Sequence, residues 1–239
     1  VRAFDASGNP VGPTASYAIS GVSESIVKEV AGLADGEYLL IWGSSLSAQK
    51  FSADGTPSGG VFAISPSVNL GYHANLDVQR LPDGRILAVW GQDAIYGRFI
   101  DSTGTPYGAT MQFNANTAGT QQYPKIQALA NGNIAVAWYS DGTVTARIYS
   151  DGGIPLGPDL TLSVAPPGPS VLWLTATADG GLVVTWRGTD GSGEGVRARY
   201  VTADGLLGSP EFLVNTEETG TQSAQAAAAN ALGTVVSVF

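Results

Sequence analysis

The chain repeats itself, and this periodicity limits its fold more than any other feature. Four tryptophans, Trp42, Trp90, Trp138 and Trp186, are each 48 residues apart, and Phe239 takes the corresponding place 53 residues further on. Each lies at the end of an apolar run that follows a short turn, as in LPDG-RILAVW and LANG-NIAVAW. A fixed period of this length is typical of an array of similar supersecondary units.

A second turn motif keeps step with the first. It reads FDASGNPVG, FSADGTPSG, IDSTGTPYG and YSDGGIPLG, followed by the weaker VTADGLLGS. Its turn glycines recur at intervals of 47 to 52 residues: Gly8, Gly55, Gly104, Gly153 and Gly205. Two independent markers with a shared period establish five repeats.

Each repeat is predicted to form four short strands. Asx-Gly pairs between apolar runs are typical of type I′ hairpin turns, and the chain has four of them: Asp35-Gly36, Asp83-Gly84, Asn131-Gly132 and Asp179-Gly180. The run after each pair is almost continuously apolar, which indicates a strand buried on both faces. No segment has helical periodicity, so the sequence predicts an all-β fold.

Five four-stranded repeats with doubly buried strands predict a five-bladed β-propeller. The predicted blades span about 25–65, 73–115, 123–164 and 170–215, and the fifth combines 222–239 with 1–20. Because the chain starts and stops in mid-repeat, the N-terminal and C-terminal strands are expected to pair and close the ring into one domain over 1–239. A solenoid of stacked repeats is the alternative, although solenoids usually carry polar capping units.

Composition excludes several classes of partner. The chain has 11 basic and 20 acidic residues and a net charge of −9. Nucleic acids and anionic membranes select clustered Lys and Arg, so neither is an expected partner, and no apolar run reaches the ~18–20 residues of a membrane span. Cysteine is absent and His73 is the single histidine, which removes thiolate chemistry and His-rich metal sites. No cofactor is expected to be required.

The fourth repeat carries a family resemblance. The stretch ATADGGLVVTWRGTDGSGEGVRARYVTADG at 176–205, followed by EFLVNTEETGTQ at 211–222, resembles the tandem repeats of very large secreted bacterial proteins. Such repeats occur alongside repeats-in-toxin calcium-binding segments and adhesin modules. The resemblance implies an extracellular or cell-surface setting and carries no agreed catalytic residues. The absence of cysteine fits an exported bacterial protein.

The first strand of each repeat is expected to line the propeller axis. One position of this strand reads, from repeat to repeat, Glu29, Asp77, Lys125, Trp173 and Gln225. Five-bladed glycosidases place paired carboxylates on such strands, and Glu29 and Asp77 would lie on neighbouring blades. The alternative interpretation is that one end of the channel is simply polar and hydrated.

Aromatic and amide side chains occupy the segments that lead into these strands. Aromatic rings stack on the C–H faces of sugars, and amides bond to hydroxyl groups. The residues predicted to bind a carbohydrate or a cell-surface polymer are therefore Tyr72, His73, Asn75, Gln122, Tyr123 and Trp173, with Gln121 beside them. The alternative is that these aromatic residues pack between blades.

The loop at 189–195 has the Asp and Gly content of a calcium loop. Asp190 and Glu194 are its candidate Ca²⁺ ligands, although the full Asp-x-Asp-x-Asp spacing with a closing bidentate Glu is missing. A plain surface turn is the alternative.

Four arginines fall at matching places in their strands, each six residues before a second-motif glycine: Arg2, Arg98, Arg147 and Arg199. They are expected to tie blades together through carboxylates or carbonyl groups.

The leading functional interpretation is a non-enzymatic binding or adhesion module, a lectin-like β-propeller of a secreted bacterial protein. The first alternative is a structural spacer domain in a large surface protein. The second is a glycosidase that uses Glu29 and Asp77.

Overall fold

The computed structural model describes residues 3–11, 28–43, 45–65, 76–163, 172–216, 220, 222, 226–230 and 234–238. These residues form strands and turns and no helix, which confirms the prediction of an all-β fold. None of their segments is a helix long and apolar enough to cross a membrane.

The described residues form twenty strands. The first ten are β1 (Ala3–Phe4), β2 (Pro10–Val11), β3 (Lys28–Gly32), β4 (Tyr38–Trp42), β5 (Ser47–Phe51), β6 (Pro57–Ala63), β7 (Leu76–Arg80), β8 (Ile86–Gly91), β9 (Ile95–Ile100) and β10 (Pro106–Gln112). The second ten are β11 (Gln121–Ala128), β12 (Ile134–Ser140), β13 (Thr143–Tyr149), β14 (Leu160–Thr161), β15 (Trp173–Ala176), β16 (Leu182–Thr189), β17 (Glu194–Val201), β18 (Phe212–Leu213), β19 (Ala226–Ala229) and β20 (Val235–Val238).

Four consecutive groups of strands each make a four-stranded sheet in chain order: β3-β4-β5-β6, β7-β8-β9-β10, β11-β12-β13-β14 and β15-β16-β17-β18. Two further sheets have two strands each, β1-β2 near the start and β19-β20 near the end. The prediction of four strands in each complete repeat is therefore confirmed.

The chain divides into two compact units. The first comprises Val1–Ala88 and Gly97–Met111, and the second comprises Val89–Tyr96 and Gln112–Phe239. The first unit contains the whole β3–β6 sheet, and the second contains the whole β11–β14 and β15–β18 sheets.

The hairpin turns differ from the predicted type. Type I′ requires positive φ at both central residues. Gly36 has φ 84°, whereas Asp35 is not among the residues with positive φ. The amide of Gly36 donates to the carbonyl of Leu33, and the amide of Leu33 donates to Glu37. This is a three-residue loop, a type I turn followed by a left-handed glycine, so the type I′ prediction is wrong.

The aspartate explains why the other turn type is stable. Asp35 Oδ1 accepts the backbone amide of Glu37 at 3.0 Å, which is an Asx turn that mimics a backbone turn. Asp83, Asn131 and Asp179 make the same contact to the residue two positions on. A short side-chain acceptor followed by glycine therefore specifies the loop, and it does not require positive φ at the acceptor.

The second strand of each four-stranded sheet is largely buried, as predicted. All six residues of β8 are buried, and in β12 the stretch from Ile134 to Trp138 is buried. Trp90, Trp138 and Trp186 are each exposed by 1% or less. Burial on both faces requires a sheet or loop against each face, and a single isolated repeat does not supply this.

In the second unit, one face of the β15–β18 sheet packs against the β11–β14 sheet. Ala135, Ala137 and Ala146 of the earlier sheet share a buried cluster with Val184 and Trp186 of the later one. Small residues on one sheet face a large ring on the other, which lets the two layers interdigitate without voids.

Arginines join neighbouring sheets, and this confirms the expectation for the three that lie in the described residues. Each Nε donates to a backbone carbonyl ten residues further along the chain: Arg98 to Gly108, Arg147 to Gly157 and Arg199 to Ser209. Each Nη1 donates to a carbonyl at the end of the preceding sheet: Arg98 to Ile64, Arg147 to Phe113 and Arg199 to Leu162. Arg2 lies outside the described residues.

We expect the tryptophans to contribute unequally to stability. Replacing Trp90 or Trp138 by Ala should lower the free energy of unfolding by roughly 3–5 kcal/mol, because each side chain is fully buried. Trp138 Nε1 donates to Gln121 Oε1 at 2.9 Å, whereas no described residue accepts from Trp90 Nε1. Trp138→Phe should therefore cost about 1–3 kcal/mol more than Trp90→Phe, since only the former strands a buried acceptor.

Urea titration of the four variants measures these differences. Equal losses for the two Phe variants would contradict the role of the Gln121 contact. A loss under about 1 kcal/mol for both Ala variants would contradict the burial itself.

Candidate functional site

Two carboxylates of the first unit lie on adjacent inner strands, a name used for the first strand of each four-stranded sheet. Glu29 is on β3 and Asp77 is on β7, and both side chains are half-buried. Cα atoms of β3 and β7 lie within 8 Å of one another. The two strands hold equivalent positions in their repeats, so the structure brings the predicted carboxylate pair onto neighbouring strands.

Glu29 keeps partial exposure on β3. It shares a strand face with Ala31, two residues further on, which is buried, and it is opposite Ile41 of β4 in the strand register. On β7 the side chain of Leu76 is buried, while Asp77 and Gln79 keep partial exposure. Gln79 Nε2 donates to the carbonyl of Arg80. Both carboxylates therefore lie at positions that solvent reaches in part.

The same repeat position in the second unit has different chemistry. Lys125 lies on β11 and Trp173 on β15, both half-buried, and Cα atoms of these strands approach within 8 Å. Trp173 is opposite the buried Thr185, and Lys125 is opposite Ala137. A cation and an indole ring therefore lie on adjacent inner strands of this unit.

A β-bulge shapes the start of β11. Its register against β12 shifts between Gln122 and Lys125, and Tyr123 in the bulge has φ 52°. A positive φ is strained for a large side chain, and the proline that follows removes a ladder donor. Bulges re-aim side chains, and here Gln122 and Tyr123 keep partial exposure.

The structure thus places three of the six predicted ligand-binding residues, Gln122, Tyr123 and Trp173, at the starts of adjacent inner strands. The others, Tyr72, His73 and Asn75, lie outside the described residues. Gln121 is fully buried and accepts the indole N–H of Trp138. Its expected place on the ligand-binding face is therefore wrong, because its side chain lies inside the core, where it accepts from the indole of Trp138.

The two predicted calcium ligands have different partners. Asp190 Oδ1 accepts the amides of Ser192 and Gly193 at 3.0 and 2.8 Å, and its Oδ2 accepts Asn215 Nδ2 at 3.3 Å. Glu194 forms an ion pair with Arg187 on the neighbouring strand at 3.1 Å. Within the described ranges, no group of three or more His, Cys, Asp or Glu residues is placed to hold a metal ion. The calcium site stays a prediction.

A set of buried acceptors near the ends of the outer strands was not predicted. The side-chain oxygen of each accepts a hydrogen bond from a backbone amide in the third strand of its own sheet: Asn114 from Ile95 at 2.9 Å, Ser163 from Val144 at 2.8 Å and Asn215 from Val196 at 2.8 Å. The signal that identifies them is a small polar residue directly after an apolar one at this point of each repeat, as in Phe113-Asn114 and Val214-Asn215.

A shallow cleft in the first unit is a weaker candidate. It encloses about 230 Å³ between Lys50, the Gly59-Gly60 pair, Phe62 and the Gly104 turn. Lys50 is ion-paired with Glu37 at 3.5 Å. This volume is below the ~300–1,000 Å³ of most ligand sites. Because the Lys50 ammonium group is already paired with Glu37, the cleft is a poor candidate for binding an anionic ligand.

No family model and no curated protein matches the chain. Among solved structures, the chain is similar to an endo-arabinase from Bacteroides thetaiotaomicron, with 14% identity, a TM-score of 0.53 and coverage of 89% of this chain and 88% of that one. It is also similar to the catalytic domain of the Coprinopsis cinerea GH62 α-L-arabinofuranosidase, with 13% identity, a TM-score of 0.53 and coverage of 92% and 77%.

A third similar structure is the Dos1 propeller, with 11% identity, a TM-score of 0.54, and coverage of 84% of this chain and 49% of that one. The chain has a β-propeller fold. These comparisons do not support the prediction of a non-enzymatic, lectin-like module, because two of the similar structures are an endo-arabinase and an α-L-arabinofuranosidase.

The Asp190 carboxylate should make stability depend on acid. Its bonds to the amides of Ser192 and Gly193 and to the side chain of Asn215 lower its pKa below the ordinary 3.8. A carboxylate with a lowered native pKa stabilises the fold fully above its unfolded value, and that contribution is lost as the pH falls through the native value. Asp190→Asn should therefore lose less stability than the parent chain between about pH 5 and pH 3.

Urea midpoints at several pH values test this expectation, with Asp204→Asn as the control, since Asp204 is an exposed turn carboxylate. Identical acid sensitivity in the parent chain and in Asp190→Asn would show that the Asp190 carboxylate has no role in it.

Proposed function

We propose that this chain is a glycoside hydrolase that acts on a carbohydrate or cell-surface polymer through Glu29 and Asp77. One observation carries the proposal. Within a single compact unit, the neighbouring strands β3 and β7 have a carboxylate at the same repeat position, and both side chains are partly exposed. The structural similarity to an endo-arabinase and to an α-L-arabinofuranosidase supports it.

A pair of carboxyl groups is sufficient for glycoside hydrolysis. One carboxylic acid protonates the leaving oxygen, and the other, as carboxylate, activates a water molecule or attacks the sugar carbon itself. The reaction needs no cofactor, so the proposal requires none, and the predicted calcium loop has no part in it.

The comparisons guide the choice of substrate. Two structural neighbours are named as an endo-arabinase and an α-L-arabinofuranosidase. We therefore propose arabinose-containing polysaccharides as the first substrate class. Within the second unit, we propose that Gln122, Tyr123 and Trp173 form a sugar-binding surface of their own, since rings stack on sugar faces and an amide bonds hydroxyls. The extracellular bacterial setting implied by the repeat resemblance fits a polysaccharide substrate.

We further propose that the propeller has five blades and is closed by its ends. The sheets β1-β2 and β19-β20 have two strands each, half the number in the complete sheets. In the repeat, the first supplies third and fourth strands and the second supplies first and second strands. Joined, they make one four-stranded blade and leave no unpaired sheet edge at the closure.

Substitution of the two carboxylates tests the enzyme proposal. The purified chain should release reducing sugar from arabinan or from an aryl arabinoside. Glu29→Gln and Asp77→Asn should each lower kcat by about 10²–10⁴-fold, because each removes a proton-transfer or nucleophilic group.

The matched control is Asp204→Asn, an exposed carboxylate that should leave kcat and KM unchanged. Absence of hydrolysis across a panel of polysaccharides would overturn the proposal. So would activity retained by the folded Glu29→Gln/Asp77→Asn double variant, because the chemistry would then lie elsewhere.

A circular permutant tests closure. Joining Phe239 to Val1 through a short linker and opening the chain between two complete repeats should give a soluble, folded monomer, because closed propellers keep their ends close together. Deleting residues 1–19 should instead cause self-association, since the remaining β19-β20 pair would present an apolar edge that includes Val236, which is 61% exposed. A soluble monomeric truncation together with a misfolded permutant would exclude the closed ring.

A further inference from the structure

One turn of the first motif differs from its counterparts. Between β11 and β12 the chain has Asn131-Gly132, its one Asn-Gly pair, where the equivalent turns have Asp35-Gly36, Asp83-Gly84 and Asp179-Gly180. Asn131 is exposed. We propose that Asn131 is a site of spontaneous deamidation, in which the backbone nitrogen of Gly132 displaces the side-chain amide and water then converts the residue to aspartate.

The turn activates the side-chain carbonyl. Asn131 Oδ1 accepts the backbone amide of Asn133 at 3.0 Å. When a nucleophile attacks Cγ, negative charge develops on Oδ1, and a donor already in place stabilises that charge. The hydrogen bond that shapes the turn therefore acts as a single-donor oxyanion site for the attack.

The nucleophile has room to move. A Cβ placed on Gly132 would meet no atom within 4 Å, so the five-membered ring of the intermediate meets no steric obstacle at this residue. A following residue with a side chain hinders this attack, and glycine does not. Glycine also adopts the altered backbone angles of the cyclic form at low cost.

One contact opposes the reaction. The amide of Gly132 donates to the carbonyl of Leu129 at 3.0 Å, and this bond must open before the nitrogen can attack. It is a single backbone hydrogen bond in an exposed turn, and the net contribution of such a bond is small. We therefore expect it to slow deamidation in the folded chain by about tenfold or less relative to the unfolded chain.

The chemistry is complete with water alone. Solvent hydroxide removes the amide proton of Gly132, and the nitrogen then forms a bond to Asn131 Cγ. The Cγ–Nδ2 bond breaks, and the leaving NH₂ group takes a proton from water and departs as ammonia. Water then opens the succinimide. Cleavage of the new N–Cγ bond gives aspartate, and cleavage of the original peptide C–N bond gives isoaspartate.

The turn accommodates the first product. Asp35, Asp83 and Asp179 already accept an amide two residues on, as Asn131 does. Aspartate at 131 therefore keeps every backbone contact of the turn and adds one negative charge. Isoaspartate inserts a methylene group into the main chain, which displaces the Leu129–Gly132 hydrogen bond. Asn131→Asp should accordingly unfold at the same urea concentration as the parent chain.

Mildly alkaline incubation of the purified, folded chain tests the proposal. Ion-exchange chromatography should reveal one growing acidic species with the charge of Asn131→Asp, and peptide mapping should locate the NH₂-to-OH mass gain at residue 131. The rate should lie within about tenfold of that in the urea-denatured chain. Asn131→Gln keeps an amide but requires a six-membered ring, and it should not form the acidic species.

Asn116 supplies an internal control, because it is exposed but followed by threonine, and it should stay intact. Deamidation at 131 in the denatured chain but not in the folded chain would overturn the proposal. Equal conversion of Asn116 and Asn131 would also overturn it, because the turn would then confer no selectivity.

Discussion

Burial of both faces of the second strand is the constraint on which the rest of this structure depends. Residues of β8 and of β12 up to Trp138 are buried regardless of which face they occupy. A four-stranded sheet of about 48 residues cannot satisfy that alone, so each repeat needs others to cover it. In the second unit, Trp186 of one sheet meets Ala135 and Ala137 of another, which is the packing solution that the repeat makes available.

Polar ties fix how the sheets meet, since apolar packing alone tolerates sliding. Arg147 bonds to carbonyls of its own sheet and of the preceding one, and Asp159 accepts two amides from the segment around Ala115. Arg147 and Phe113 are 34 positions apart in the chain, and Asp159 and Ala115 are 44 positions apart. Each buried group that lost its partner would cost free energy, so the ties select one arrangement of neighbouring sheets.

The repeat also shows where function has room to diverge. Turn and core positions recur because their geometry recurs, whereas the inner-strand position changes from Glu29 and Asp77 to Lys125 and Trp173. All four side chains keep partial exposure. Variation at an accessible position on an otherwise uniform scaffold is the pattern that a substrate-binding surface produces.

The sequence by itself determined the repeat, the number of strands in each complete sheet and the doubly buried second strand, because these follow from local periodicity and turn residues. It identified the carboxylate pair on neighbouring strands for the same reason. The turn type was predicted wrongly, since Asx-Gly pairs fit two loop geometries and only the backbone φ separates them. Tertiary structure decided which polar side chains are hydrogen-bonded within the protein: Gln121 accepts from Trp138, and Asp190 accepts from Asn215. Those partners are 17 and 25 residues apart, and no local pattern specifies a contact that depends on how the sheets and loops pack.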